Sequence, residues 1–175
     1  MQSPMPDWIK IKKLKKVLTR DVNGRDNGFL VDILNRNDAL FADRETELFQ
    51  QVYYSTVYAN MFKGFHIHPF KYDTVTCLFG KALLVFYPHL VPKDQVNEKI
   101  NVDDLVVVEL DTEESLQVVS FPSKYPHGYF GVSEISYILN YRNPAWHPAD
   151  THQYDMKLEG IEDYLKQWVR IHADR

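Results

Sequence analysis

Three histidines and one aspartate carry the chemistry open to this sequence. The stretch Lys63-Gly64-Phe65-His66-Ile67-His68 sets two imidazoles two residues apart, and Asp73 and then Gly80 follow. In an extended strand residues i and i+2 share a face, so His66 and His68 point one way while Phe65 and Ile67 point the other. A strand facing an ordinary core would hold Val or Leu there, because buried polar groups cost free energy unless they find partners. Imidazoles beside a carboxylate suit two kinds of chemistry. A histidine that gains and loses a proton near neutral pH can act as a general acid or base. Alternatively, His66, His68, Asp73 and His127 together offer three imidazoles and one carboxylate, a ligand set suited to Zn, Fe, Mn or Ni.

His127 lies in Phe121-Pro122-Ser123-Lys124-Tyr125-Pro126-His127-Gly128-Tyr129, five residues after Pro122. The two segments resemble the two halves of the cupin signature. The first half is a glycine, H-x-H, an acid and a second glycine. The second is P-x-G-x-x-H, with Lys124 here in place of its glycine. Both halves occur in the right order with β-rich sequence between them. The resemblance implies an all-β cupin barrel, a double-stranded β-helix or jelly roll, spanning residues 1–175 as a single domain.

The elements that must position these residues are short strands. Trp8 to Lys12 alternates and reads as an edge strand guarded by lysines. Asp21 to Gly28 is turn chemistry, Phe29 to Leu34 the next strand, and Asn37 to Leu48 a short helix capped by Asn37 or Asp38. Strands follow at Gln51–Asn60, through Lys63–Lys81, and at Lys81–Tyr87, Leu105–Leu110, Leu116–Phe121 and Glu134–Tyr141. A last helix is predicted from Ile161 to about His172, with Ile161, Leu165 and Trp168 on its apolar face. Glu162 and Asp163 at its start and Arg170 and His172 at its end complement the helix dipole.

Composition narrows the function. The chain has 175 residues, 45% hydrophobic and 14% aromatic, which permits a substantial β-rich core. Its net charge of -4 excludes broad nucleic-acid affinity. Cys77 is the single cysteine, so no internal disulfide forms. The start, MQSPMPDWIKIKK, lacks the apolar stretch of a signal peptide, and no apolar run approaches membrane-spanning length. The expectation is a cytoplasmic protein with neither membrane nor nucleic acid as partner.

From about Asn23 to Asp155 the chain resembles the dTDP-4-dehydrorhamnose 3,5-epimerase family of cupins. The family's R-G-L-H box reads Lys63-Gly64-Phe65-His66, its C-x-x-G strand end reads Cys77-Leu78-Phe79-Gly80, and its A-H-G-F reads Pro126-His127-Gly128-Tyr129. Its aromatic-x-Pro loop matches Trp146-His147-Pro148, and its W-N-D matches Gln153-Tyr154-Asp155. The resemblance implies proton removal beside the ketone of a 4-keto sugar nucleotide, without a metal or other cofactor, in a homodimer paired through its early strands. It makes His66 the base. Gln51, Tyr53, Lys63, His68, Lys71, His127 and Trp146 become substrate contacts, with Trp146 stacking on the nucleotide base. Asn140 occupies the position of the family's proton-donating tyrosine, and Asp174 lies at a spacing similar to that of the aspartate that orients the base. Two alternatives stand beside this reading. One is a divalent-metal cupin using His66, His68, Asp73 and His127. The other is a sugar-nucleotide-binding module without catalysis.

Overall fold

The computed structural model describes residues 4–20, 22–35, 38–41, 50–97, 100–114, 116–145 and 152–172. Twelve strands and one α-helix are found among them, in the order β1 (Lys10–Lys13), β2 (Val17–Arg20), β3 (Asp26–Leu30), β4 (Gln51–Tyr58), β5 (Phe62–Ile67), β6 (Tyr72–Phe79), β7 (Lys81–Phe86), β8 (Val106–Asp111), β9 (Gln117–Pro122), β10 (His127–Gly131), β11 (Ile135–Asn143), β12 (Tyr154–Asp155) and α1 (Ile161–His172). One five-stranded sheet runs β1-β9-β6-β11-β4 and a second runs β12-β5-β10-β7-β8. Every pairing within them is antiparallel. The expected jelly-roll barrel of the cupin fold is what the chain forms. No described helix is long and apolar enough to cross a membrane.

Alternation along the strands divides the side chains between the barrel interior and the outer faces. Val75 and Cys77 from β6, Leu84 and Phe86 from β7, Val106 and Val108 from β8, and Val119 and Phe121 from β9 meet inside as one apolar cluster. Phe65 and Ile67 of β5 point the other way. They join Leu83 and Val85 of β7 in a second cluster on the outer face of the second sheet, covered by Ile161 and Leu165 of α1. β5 therefore has an apolar back and a polar front. The helix starts and stops where its charges and apolar spacing predict.

The chain makes close approaches that only glycine allows. Gly80 turns the chain between β6 and β7 at φ +80°, and a Cβ there would fall 2.6 Å from the Ile135 carbonyl oxygen. Gly64 and Gly128 face each other across β5 and β10, where a Cβ on Gly64 would lie 2.7 Å from the Gly128 Cα.

Three sequence expectations differ from what is found. The third strand covers Asp26–Leu30 rather than Phe29–Leu34. Asp26 is drawn into the ladder opposite Arg20, whose Nε donates to it at 2.8 Å, so the turn before it is shorter than its composition suggests. Ala39–Phe41 forms a 3-10 turn, and the rest of the expected 37–48 helix lies outside the described residues, apart from Asp38. His127–Gly131 is a full strand, although its two glycines hide it from propensity.

Leu165 is fully buried, whereas Ile171 on the same helix is exposed. Leu165→Ala should destabilise the protein by about 2–5 kcal/mol, and Ile171→Ala by less than about 0.5 kcal/mol. Urea unfolding followed by circular dichroism measures both.

Candidate active site

At one end of the barrel interior the apolar cluster gives way to polar side chains, and strand register explains which ones meet. Arg142 of β11 is paired with Asp73 of β6. The Asp73 carboxylate has no exposed surface. Arg142 donates to it from Nε at 2.7 Å and from Nη2 at 3.3 Å, and the Ser123 hydroxyl donates at 2.6 Å. His127 Nε2 lies 3.5 Å from the same carboxylate, an ion-pair distance longer than a full hydrogen bond. Burial alone would raise the Asp73 carboxyl. The adjacent His127 imidazole and the charge and hydrogen bonds of Arg142 outweigh it and hold Asp73 well below the usual carboxylate range.

The three imidazoles surround this centre, with ring centroids 5.7 to 6.3 Å apart. His127 is set by a bond between Nδ1 and the Tyr125 carbonyl at 2.9 Å, and a carbonyl can only accept, so Nδ1 carries the proton. His68 Nε2 lies 3.4 Å from the Arg142 guanidinium, which can only donate. Burial and that adjacent charge push the His68 imidazole down to about 3. Its Nδ1 is buried without a hydrogen-bond partner among the described residues.

His66 is held differently. It stands in register between His127 of β10 on one side and Asp155 of β12 on the other. Its Nδ1 meets the Asp155 carboxylate at 2.8 Å. The carboxylate accepts, so the proton sits on Nδ1 and Nε2 keeps the lone pair.

Tyr53, Ser55, Lys63, His66, His68, His127, Tyr129, Ile138, Asn140 and Arg142 enclose a cavity of about 200 Å³. The wall from the second sheet carries His66 and His127, with His68 just beyond β5. The wall from the first sheet carries Tyr53, Asn140 and Arg142. Asn140 and Tyr53 are register partners, and the Asn140 amide donates to the Tyr53 hydroxyl at 2.9 Å. Burial and the nearby Asp73 carboxylate push the Tyr53 phenol up to about 12. Lys63 donates to Ser55 at 3.0 Å. A larger cavity of about 860 Å³ lies elsewhere, along Ile100, Val102 and Leu158, with no histidine among the described residues that line it.

Of the residues singled out from sequence, the fold brings Tyr53, Lys63, His66, His68, His127 and Asn140 to one cavity. Gln51 stands opposite Arg142 on β4, and Lys71 is buried in the turn after His68, and neither lines the cavity. Trp146 and Asp174 lie outside the described residues. The carboxylate found on His66 is Asp155, and the W-N-D match at Gln153 to Asp155 was the signal for it. Arg142 had no sequence signal. For the metal alternative, donor atoms of His68, Asp73 and His127 lie within 4.8 Å of one another, and His66 is outside that group. Tyr141 points to the opposite face from Asn140, where it is buried with Leu40 and Val118.

Fold and site together describe a cupin barrel whose polar end holds a histidine–aspartate pair. No protein-family model matches the chain, and no curated protein does. Solved structures do. A dTDP-6-deoxy-D-glucose-3,5-epimerase from Legionella pneumophila, in complex with dTDP-4-keto-L-rhamnose, superposes with a TM-score of 0.65 at 17% identity, covering 92% of this chain and 79% of its own. A 3'-monoepimerase from Streptomyces bikiniensis, in complex with dTDP-quinovose, gives 0.63 at 12% identity, covering 89% and 72%. A sugar 3,4-ketoisomerase from Thermoanaerobacterium thermosaccharolyticum, in complex with TDP, gives 0.56 at 17% identity, covering 94% and 98%. The chain has the fold of these sugar-nucleotide enzymes.

Asp73 and His68 both bind a proton less readily when folded than when unfolded, so each contributes stability that is lost as pH falls. The His68 contribution is complete above its ordinary 6.5 and declines toward its folded value of about 3. That of Asp73 is complete above its ordinary 3.8 and declines below it. Stability should therefore begin to fall below about pH 6.5, and His68→Gln should flatten the decline between about pH 6.5 and 4. Asp73→Asn removes the charge opposite buried Arg142 and should cost about 3–5 kcal/mol at pH 7. Urea midpoints across a pH series measure all three effects.

Proposed function

We propose that the protein is an isomerase of the dTDP-4-dehydrorhamnose 3,5-epimerase-like group, acting beside the ketone of a 4-keto sugar nucleotide. The observation that carries this reading is His66. Its Nδ1 is fixed on Asp155, and its ring lines a cavity between two sheets. An imidazole held in this way presents Nε2 as a proton acceptor in one orientation, which is the arrangement a general base needs. A proton next to a ketone becomes removable when the developing enolate oxygen meets preorganised donors. Lys63, Arg142 and the Asn140 amide bring donors or positive charge to that cavity. The fold shared with enzymes crystallised with dTDP-sugars supports a nucleotide-linked substrate.

Transfer of the ketone between neighbouring carbons is the second reading. Asn140 favours it, because an amide N–H is not acidic enough to return a proton as the family's tyrosine would. The ketoisomerase of which 98% is covered by this chain shares the fold.

The proposed chemistry needs no metal. Both Asp73 oxygens already accept from Arg142 and Ser123, and the guanidinium stands against His68 Nε2, so a divalent cation there would meet a fixed positive charge. The His68, Asp73 and His127 group therefore does not suit a metal.

Incubation of the protein with a dTDP-linked 4-keto-6-deoxy sugar in D₂O, followed by NMR of the sugar ring, tests the reading. Deuterium should enter at a carbon beside the ketone. His66→Ala should slow entry at least about 100-fold and Asp155→Asn about tenfold or more. Chelator should leave the rate intact. Tight sugar-nucleotide binding without exchange would place the protein among binding modules, and loss of activity on chelation would restore the metal reading.

The protein is also proposed to work as a homodimer. The β2–β3 ribbon supports this, since it exposes Val17, Leu18, Phe29 and Leu30 and belongs to neither large sheet. A two-stranded ribbon is marginal in water without something to pack on. Light scattering at micromolar concentration should give twice the chain mass, and a monomer would contradict it.

A further inference from the structure

Proton abstraction by His66 leaves open how a proton returns to the other face of the carbon. The wall opposite His66 holds one hydroxyl with an unusual setting. Tyr53 on β4 and Asn140 on β11 are direct cross-strand partners, both directed inward. The Asn140 Nδ2 donates to the Tyr53 oxygen at 2.9 Å, so that bond does not use the tyrosine's own proton. The Arg142 guanidinium carbon lies 5.4 Å from the centre of the Tyr53 ring. Asn140 Oδ1 is buried without a hydrogen-bond partner among the described residues, so the amide is oriented by its bond to Tyr53 alone.

We infer that Tyr53 is the proton donor opposite His66 and that Asn140 is its positioning residue. This rests on the functional reading above and deepens it. His66 Nε2 takes the proton from the carbon, and the C–H electron pair becomes the enolate double bond as the ketone π pair moves onto oxygen. Tyr53 then gives its O–H proton to the opposite face of the same carbon. The enolate electrons form the new C–H bond and the ketone is restored. The step leaves a tyrosinate and an imidazolium, and solvent returns both to their starting states. The Asn140 N–H bond strengthens as charge grows on the phenol oxygen, and the Arg142 charge near the ring acts in the same direction.

The test is the ratio of inverted product to incorporated deuterium, with the full chain and a dTDP-linked 4-keto-6-deoxy sugar in D₂O. The ratio is internal to each sample and does not depend on how much protein is folded. Tyr53→Phe should lower it about 100-fold, the scale of a lost general acid. Asn140→Asp replaces the amide donor with an acceptor of nearly the same shape and should lower it at least about tenfold, with kcat for inversion falling and KM holding. A merely structural role for Asn140 would reduce exchange and inversion together and leave the ratio in place. An unchanged ratio in Tyr53→Phe overturns this inference while leaving His66 as the base. Exchange without any inverted product in the unaltered protein also overturns it and favours ketone transfer. No exchange at all in the unaltered protein overturns the isomerase reading and this inference with it.

Discussion

The buried pair of Asp73 and Arg142 is the constraint on which the polar end of this barrel depends. Two opposite charges in a low-dielectric interior are tolerable only when geometry is good and the remaining hydrogen-bonding positions are filled. Here strand register supplies the geometry, the Ser123 hydroxyl fills a remaining position on the carboxylate, and His127 lies against it at 3.5 Å. The Ser123 turn also fastens neighbouring backbone, because its amide donates to Lys71 and its carbonyl accepts from His68. One carboxylate thus ties the ends of β6, β9, β10 and β11 together and fixes the stretch after β5. Asp73 and His127 occupy motif positions that read equally well as metal ligands. The arginine opposite them turns the same residues into a scaffold that places positive charge beside the cavity.

The two faces of β5 explain how a polar site coexists with a stable core. Phe65 and Ile67 are fully buried against the helix cluster, and they lock the strand from behind. His66 and His68 then project from a support that cannot rotate without unpacking that cluster. A one-residue slip would exchange imidazoles for apolar side chains, so the core specifies the site's register as firmly as it specifies the fold.

Much of this was legible in the sequence because it is local. Alternation over residues 65–68 gives the facing of both histidines, and the Ile161, Leu165, Trp168 spacing with charged ends gives the last helix. The motif spacing gives His127. What was not legible depends on which strands lie side by side. Arg142 and Asp73 are 69 residues apart in the chain, and no local pattern announces that they pair. Asp155 stands in the sequence as the end of a motif match, but that it meets His66, 89 residues away, is a property of the β5–β12 pairing. Tyr53 and Asn140 stood in the sequence as separate candidates. Their relation is a property of the β4–β11 ladder.

β12 is an edge strand of two residues, bordered among the described strands by β5 alone, and it delivers the carboxylate that meets His66 Nδ1. The rest of the site hangs from the ends of longer strands. A substitution at Asp155, whose side chain is largely exposed, would therefore release the His66 tautomer while leaving the cavity walls as they are. The orientation of this imidazole is thus set at a sheet edge by a side chain that stands largely in solvent, while the backbone beside it is anchored through Met156 to Phe65 and the core behind β5.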